Sequence, residues 1–274
     1  MKQKFLITTA LVVALSSFQH HEADKEIYTK KVEAAKGQTL DNFTISVAKG
    51  FLNRPYKAGT LEVNNPDEKL VVNLREFDCA TYVESCVAMS LTLRKEELNF
   101  DTFKHYLQRL RYYDGKIKGY PSRIHYFSDW LYQHTHDGLL EDMTPLFGGI
   151  PNPRSIHFMS SNIGKYPVQK DMNVWNDIAR READLTNHVM YYIPKNKIRS
   201  IENNLKNGDI VALTTNIDGL DVTHEGFAIR LQDGRVYLLH ASSDFGRVMV
   251  TDRPLAEYMA TKKNQTGIMV ARFK

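Results

Sequence analysis

The sequence is short of cysteine, with two among 274 residues, and of proline, with nine. Two cysteines cannot build the disulfide framework that holds small secreted domains together. Stability therefore has to come from a hydrophobic core, and the 42% hydrophobic and 11% aromatic residues supply one. Such a content excludes general disorder. Charge of one sign is also lacking: 36 Lys and Arg face 32 Asp and Glu, a formal charge of +4. Removing Lys2 and Lys4 with a leader would halve it. With no basic stripe, nucleic acid is not an expected partner. No Gly-rich phosphate loop and no His-Glu-x-x-His helix occur. No internal repeat or Pro/Gly-rich linker divides the chain, so residues 21–274 read as a single compact domain.

Long apolar runs are missing too, with one short exception. Lys2 and Lys4 precede an apolar stretch from Phe5 to about Leu15, followed by small residues. This is the layout of a secretory signal peptide over residues 1–20, with Ala14-Leu15-Ser16 offering a cleavage site. A membrane anchor would need roughly 18 apolar residues, and Thr8 and Thr9 interrupt this one. No Cys follows it to carry a lipid. The expected product is exported, to the periplasm, without stable membrane insertion.

Cys79 and Cys86 lie in a segment that reads as a helix, seven residues apart. That is about 10 Å of rise, too far for a disulfide, which needs Cα atoms within ~7 Å. Cys86 groups with Val83, Val87 and Ser90 on an inward face, where a small thiol packs well. Cys79 follows Phe77-Asp78. Asp78 is a good N-cap, and Phe77 can staple onto Tyr82. Cys79 then sits in the first helical turn, where unpaired N–H groups and the helix dipole favour a thiolate and could hold an oxyanion. A buried structural cysteine at that place is an equal reading of the fragment alone.

A thiol nucleophile needs a base, and the base an orienting group. His224 and His240 lie on one hairpin around Gln232-Asp233-Gly234. A two-residue turn would put them on opposite faces of the sheet. A three-residue loop with Gly234 in the left-handed region places residue 226 opposite residue 240, and both histidines on one face. Metal chemistry has less support. His134-Thr135-His136, His20-His21 and Thr223-His224-Glu225 each lack further ligands at a recognisable spacing. The first two read as polar surface, and neither metal nor cofactor is expected.

Several pieces in order resemble the NlpC-type cell-wall hydrolases, a bacterial superfamily of papain-like cysteine peptidases and amidases. They are Arg54-Pro55-Tyr56 with Gly59, Phe77-Asp78-Cys79, Gly208-Asp209-Ile210-Val211, His224-Glu225-Gly226-Phe227, Leu239-His240-Ala241-Ser242 and Gly267-Ile268-Met269-Val270. The resemblance implies an α+β, papain-like fold, with the nucleophile helix packed on an antiparallel, barrel-like sheet. It implies Cys79 as nucleophile, His224 as base, His240 as its orienting residue and Tyr56 beside the nucleophile. Two departures stand out. The usual Cys-Ser-Gly is here Cys79-Ala80-Thr81, and the long gap to His224 makes residues from about 95 to 205 a helical and loop-rich insertion.

Within that insertion, Phe103, Tyr106, Leu107 and Leu110 recur at helical spacing up to Gly115. A second helix is expected from Pro121 to Gly138, with Arg123, Tyr126 and Trp130 on one stripe. The run Ser122-Arg123-x-His125-Tyr126-x-Ser128-Asp129-Trp130 resembles the signature of the N-acetylmuramoyl-L-alanine amidase-like branch. That resemblance implies hydrolysis of the amide between N-acetylmuramic acid and L-alanine, with anhydro-muropeptides preferred and peptidoglycan fragments as partners of a monomer. Its alternative is an endopeptidase cutting within the stem peptide; a non-catalytic wall-binding module and a metallo-amidase are further rivals. Ser122, Arg123, His125, Tyr126 and Asp129 are the expected substrate wall, with Arg123 holding a stem carboxylate and Trp130 as a buried anchor.

Overall fold

The structure, a computed structural model, describes residues 2–62, 68–168 and 170–274, and for residues 2–18 and 40–41 the backbone alone. The helices are α1 (Lys2–Ala35), α2 (Leu40–Lys49), α3 (Cys79–Arg94), α4 (Phe100–Arg111), α5 (Phe127–His136), α6 (Met172–Thr186), α7 (Ile198–Ile201) and α8 (Leu255–Ala260). The strands are β1 (Leu140–Asp142), β2 (Ile150–Pro151), β3 (Tyr191–Pro194), β4 (Ile210–Thr215), β5 (Val222–Arg230), β6 (Val236–Ser242), β7 (Arg247–Val250) and β8 (Gln265–Phe273). Of the expected leader, residues 1–18 have side chains outside the described ones. Among the described residues no helix is long and apolar enough to cross a membrane.

All strand pairs are antiparallel, in the order β2-β3-β8-β4-β5-β6-β7, with β1 also on β8. The α+β class is as expected, but the sheet is open rather than barrel-like. Its outer strands are short, and β7 is covered by residues 53–56 instead of by a closing strand. Val248 N–H donates to Arg54 O at 2.8 Å, and Tyr56 N–H to Gly246 O at 2.9 Å. Covering an edge in this way removes the unpaired ladder groups that would otherwise invite another chain.

Alternation along the strands buries both faces of the sheet. Ile210, Ala212, Phe227 and Leu239 face a core shared with α1 to α5, while Val211, Leu213, Ala228 and Leu238 face Ile198, Leu255 and Met259 of α7 and α8. Helix α3, buried along residues 81–92, runs through the first core. Cys86 is therefore enclosed on every side rather than on one inward face. A third cluster, built from Tyr126, Trp175, Ile178 and their neighbours, belongs to the segment between residues 120 and 190. The rest of residues 95–205 is not separate: α4 and α5 complete the first core, and β1 to β3 extend the sheet.

The second expected helix begins later than its sequence suggests. Residues 120–122 form a single 3₁₀ turn, Arg123 is extended, and α5 starts at Phe127. The extended piece pairs with the end of α4, where Ile124 N–H donates to Arg111 O at 2.9 Å. The start of α5 is then capped from far away: Asp221 Oδ2 accepts from both the N–H and the hydroxyl of Ser128, each at 2.7 Å. A distant carboxylate, not the local Pro-Ser signal, sets this boundary. Arg123 and Trp130 consequently share no helical stripe. Helix α4 ends at Arg111, short of Gly115.

The join of β3 to β8 is the tightest backbone approach. A Cβ at Gly267 would lie 2.0 Å from Ile193 O, inside the paired strands. Gly267→Ala should cost about 3 kcal/mol, the upper range for overpacking, read as a lowered Tm. An unchanged Tm would contradict this packing.

Candidate active site

Helix α3 starts at Cys79 because Asp78 and Thr81 close a reciprocal cap. Asp78 Oδ1 accepts from Thr81 N–H at 2.8 Å, and Asp78 N–H donates to Thr81 Oγ1 at 3.1 Å. Phe77 packs edge-on to Tyr82, ring centres 5.7 Å apart. The residue after the nucleophile's neighbour, noted in the sequence only as a departure, is thus half of the cap. Thr60 adds a bond to Asp78 Oδ2 at 3.2 Å and ties the preceding loop to it.

The hairpin adopts the three-residue loop. Arg230 pairs with Val236, and Gly234 has φ of 75°. This register brings His224 Nε2 to 2.5 Å from His240 Nδ1. Gly226 keeps the approach possible, since a Cβ there would meet His240 Cβ at 2.8 Å. The β5–β6 ladder stops at Phe227 and Leu239, although β6 runs on along β7 to Ser242. A seam opens between the two strands beyond that point.

Ala228 N–H donates toward β4, to Asp209 O at 2.8 Å. Alternation therefore turns the N–H groups of Phe227 and Glu225 toward β6. Glu225 N–H finds no ladder partner at the seam and donates to Cys79 instead. The thiol is thereby fixed one residue from His224. Sequence reasoning missed this donor, because a backbone N–H has no signature; the only available signal was the ladder's end, implied by two histidines needing room on one face.

The resting charge state differs from the expected thiolate. Burial, then the Glu225 and Asp78 carboxylates, push the Cys79 thiol above its ordinary range, and the N–H groups of Glu225 and Ala80 only partly offset this. Burial also lowers His224 to about 4, with Lys262 next in effect. His240 is lowered to about 3 by burial, then by His224 and Lys262. Thiol and imidazoles are all neutral near pH 7. Burial pushes Glu225 itself well above the usual carboxylate range.

The other expected residues divide. Tyr56 is held between β7 and Phe77, and its hydroxyl is raised by burial and then by the nearby Cys79 and Asp78. His125 lines a small cavity with Ala80, Glu84 and Glu225; its Nε2 lies 3.2 Å from Tyr120 O, and burial lowers it to about 3. Arg123 is nearly fully buried, bonded to Glu62 at 2.6 Å and stacked on Tyr120. Its fork is already occupied by a carboxylate of the protein. The Tyr126 hydroxyl is turned to Glu182, at 2.5 Å. Ser122 closes its own turn onto Gly119 O at 2.6 Å, and Asp129 accepts from Tyr113 and Gln133. Trp130 is a buried anchor. His134, expected at the surface, is buried and bonded to Leu110 O at 2.9 Å, whereas His136 is exposed. Two residues apart on a helix, they point to different sides.

The model of the AmiA-like family, N-acetylmuramoyl-L-alanine amidase-like, matches residues 46–268. An N-acetylmuramoyl-L-alanine amidase from Bacteroides uniformis is 36% identical, with a TM-score of 0.81 over 86% of this chain and 99% of that one. A Bacteroides fragilis protein with a provisional xylanase name is 42% identical, with a TM-score of 0.78 over 82% and 98% of the two chains. A Legionella pneumophila protein shares the fold at 20% identity, with a TM-score of 0.69 over 95% and 96%. No curated protein shows significant similarity to the chain.

The raised thiol gives a direct test. Iodoacetamide should label Cys79 and spare Cys86 in the folded protein, and the rate should keep climbing with pH through the ordinary thiol range, about 8.5. A rate that levels off in mild acid would reveal a resting thiolate and overturn the neutral assignment.

Proposed function

The chain belongs to the N-acetylmuramoyl-L-alanine amidase-like family, and from that premise we propose an exported cysteine amidase. It cuts the amide between the lactyl group of N-acetylmuramic acid, in the anhydro form, and L-alanine in peptidoglycan fragments. The proposal places it among the NlpC-type, papain-like hydrolases, with the apolar leader directing it to the periplasm as a monomer. The observation that carries the reading is the seam: Cys79 at a helix start, its sulfur reached by the N–H of Glu225, which follows His224 in β5, and His224 bonded to His240.

Because His224 uses Nε2 for His240, its Nδ1 is the nitrogen left to act as base. The Cys79 proton passes to Nδ1 as sulfur bonds to the lactyl carbonyl carbon. The oxyanion so formed is met by the Cys79 N–H at the start of α3 and the Tyr56 hydroxyl. Collapse expels the L-alanine amine, which takes the proton from His224 and leaves a thioester. Water then gives a proton to His224, adds to the thioester and releases the carboxylic acid and the thiol.

The substrate wall is Tyr56 and the 120–129 segment. His125 and Tyr126 both line the small cavity beside Ala80 at the start of α3, while Ser122, Arg123 and Asp129 act by holding that wall in shape. The occupied guanidinium argues for Arg123 as a support of the 61–62 loop rather than a direct grip on substrate. A xylanase would need two carboxylates flanking an open cleft. Here Asp78 caps α3, Glu84 pairs with Arg111 at 2.8 Å, and Glu225 is buried.

Mass spectrometry of digests of purified anhydro-muropeptides decides between bonds. The expected products are the free sugar acid and the intact stem peptide, with Cys79→Ala and His224→Ala lowering kcat/KM by a factor of 10³ or more, the scale of losing an acid–base or nucleophilic group. Release of shortened stems would establish the endopeptidase instead.

A further inference from the structure

His224 and His240 line a small polar pocket at the end of the sheet. Leu213 of β4 and Gln265 of β8 contribute uncharged walls, the β6–β7 turn contributes Asp244, α8 contributes Tyr258, and the following turn contributes Lys262. Lys262 Nζ is bonded to Asp244 at 2.8 Å and lies 4.7 Å from the Tyr258 ring, whose centre is 5.9 Å from that of His240. Around Cys79 the charged or titratable groups are Glu225, Asp78 and Tyr56, and none of them acts on the imidazoles. Lys262 shares this pocket with both imidazoles and, among the described residues, is the cation acting on both.

The two imidazoles share a single hydrogen-bonded proton. With Nε2–H of His224 donating, His240 Nδ1 must accept, and Nδ1 of His224 stays bare. Protonating His240 at Nδ1 would reverse the bond, move the His224 proton to Nδ1 and remove the base. A fixed positive charge beside His240 opposes that reversal. We propose that Lys262, tethered by Asp244, is a positioning residue that keeps His240 an acceptor and so holds His224 in the tautomer able to take the thiol proton. Desolvation works against a charged Lys262, but its bonds to Asp244 and Tyr258 outweigh it. Asp244 opposes Lys262 electrostatically at both histidines, so its part is to anchor the ammonium.

This inference rests on the cysteine amidase reading, and the test separates the two. Imidazole nitrogen NMR on the full chain, with kcat/KM against pH on anhydro-muropeptides, is compared for wild type, Lys262→Met, Lys262→Gln and Lys262→Arg. The wild type should hold His224 as the Nε2–H tautomer, with an acid limb at about 4. Both uncharged variants should move the limb and the imidazole titrations up by about one pH unit, and Lys262→Arg should restore them. Unmoved titrations in either folded uncharged variant, or a shift that Lys262→Arg shares, would overturn the proposal. Full hydrolysis by Cys79→Ala would instead overturn the amidase mechanism, while the NMR arm still decides Lys262.

Discussion

The place where the β5–β6 ladder stops governs the chemistry of this molecule. An antiparallel pair normally satisfies every inward N–H. Here pairing ends at Phe227 and Leu239, and the next inward donor, Glu225 N–H, is satisfied by the Cys79 thiol. That contact joins the start of α3 to the strand that carries His224. Two other features serve it. The Asp78–Thr81 cap fixes which residue is first in the helix, and the three-residue loop fixes which residues oppose each other across the hairpin.

Burial then sets the protonation states. A helix N-terminus alone would favour a thiolate, but desolvation is the larger effect at Cys79 and likewise lowers both histidines. Nucleophile and base rest uncharged, so charge develops only as the thiol attacks. Preformed donors, fixed by the fold, meet that charge without reorganising. Lys262 fits the same logic, since a charge held outside the pair biases it without entering the reaction.

Local features were legible in the sequence, and features made by distant residues were not. Phe77-Asp78 announced the first turn of α3, and Gln232-Asp233-Gly234 permitted the register that joins His224 to His240, which the catalytic reading required. Both signals are complete within a few residues. The start of α5 depends on Asp221, and the extended stretch before it on Arg111, so Pro121-Ser122 misled. Arg123 looked free because its partner Glu62 is 61 positions away. Sheet closure was equally illegible: the β2 and β7 edges are set by how residues 53–56 and 150–194 return to the strands.

The central claim is that Cys79 carries the acyl group through the reaction. Rapid acid quench during turnover of an anhydro-muropeptide, followed by mass analysis of the peptide containing Cys79, measures this directly. The account predicts an adduct with the mass of the sugar-lactyl acyl group on Cys79, absent when Cys79 is alanine. A stem-peptide acyl group on that residue, or hydrolysis at full rate with no adduct formed, would contradict it.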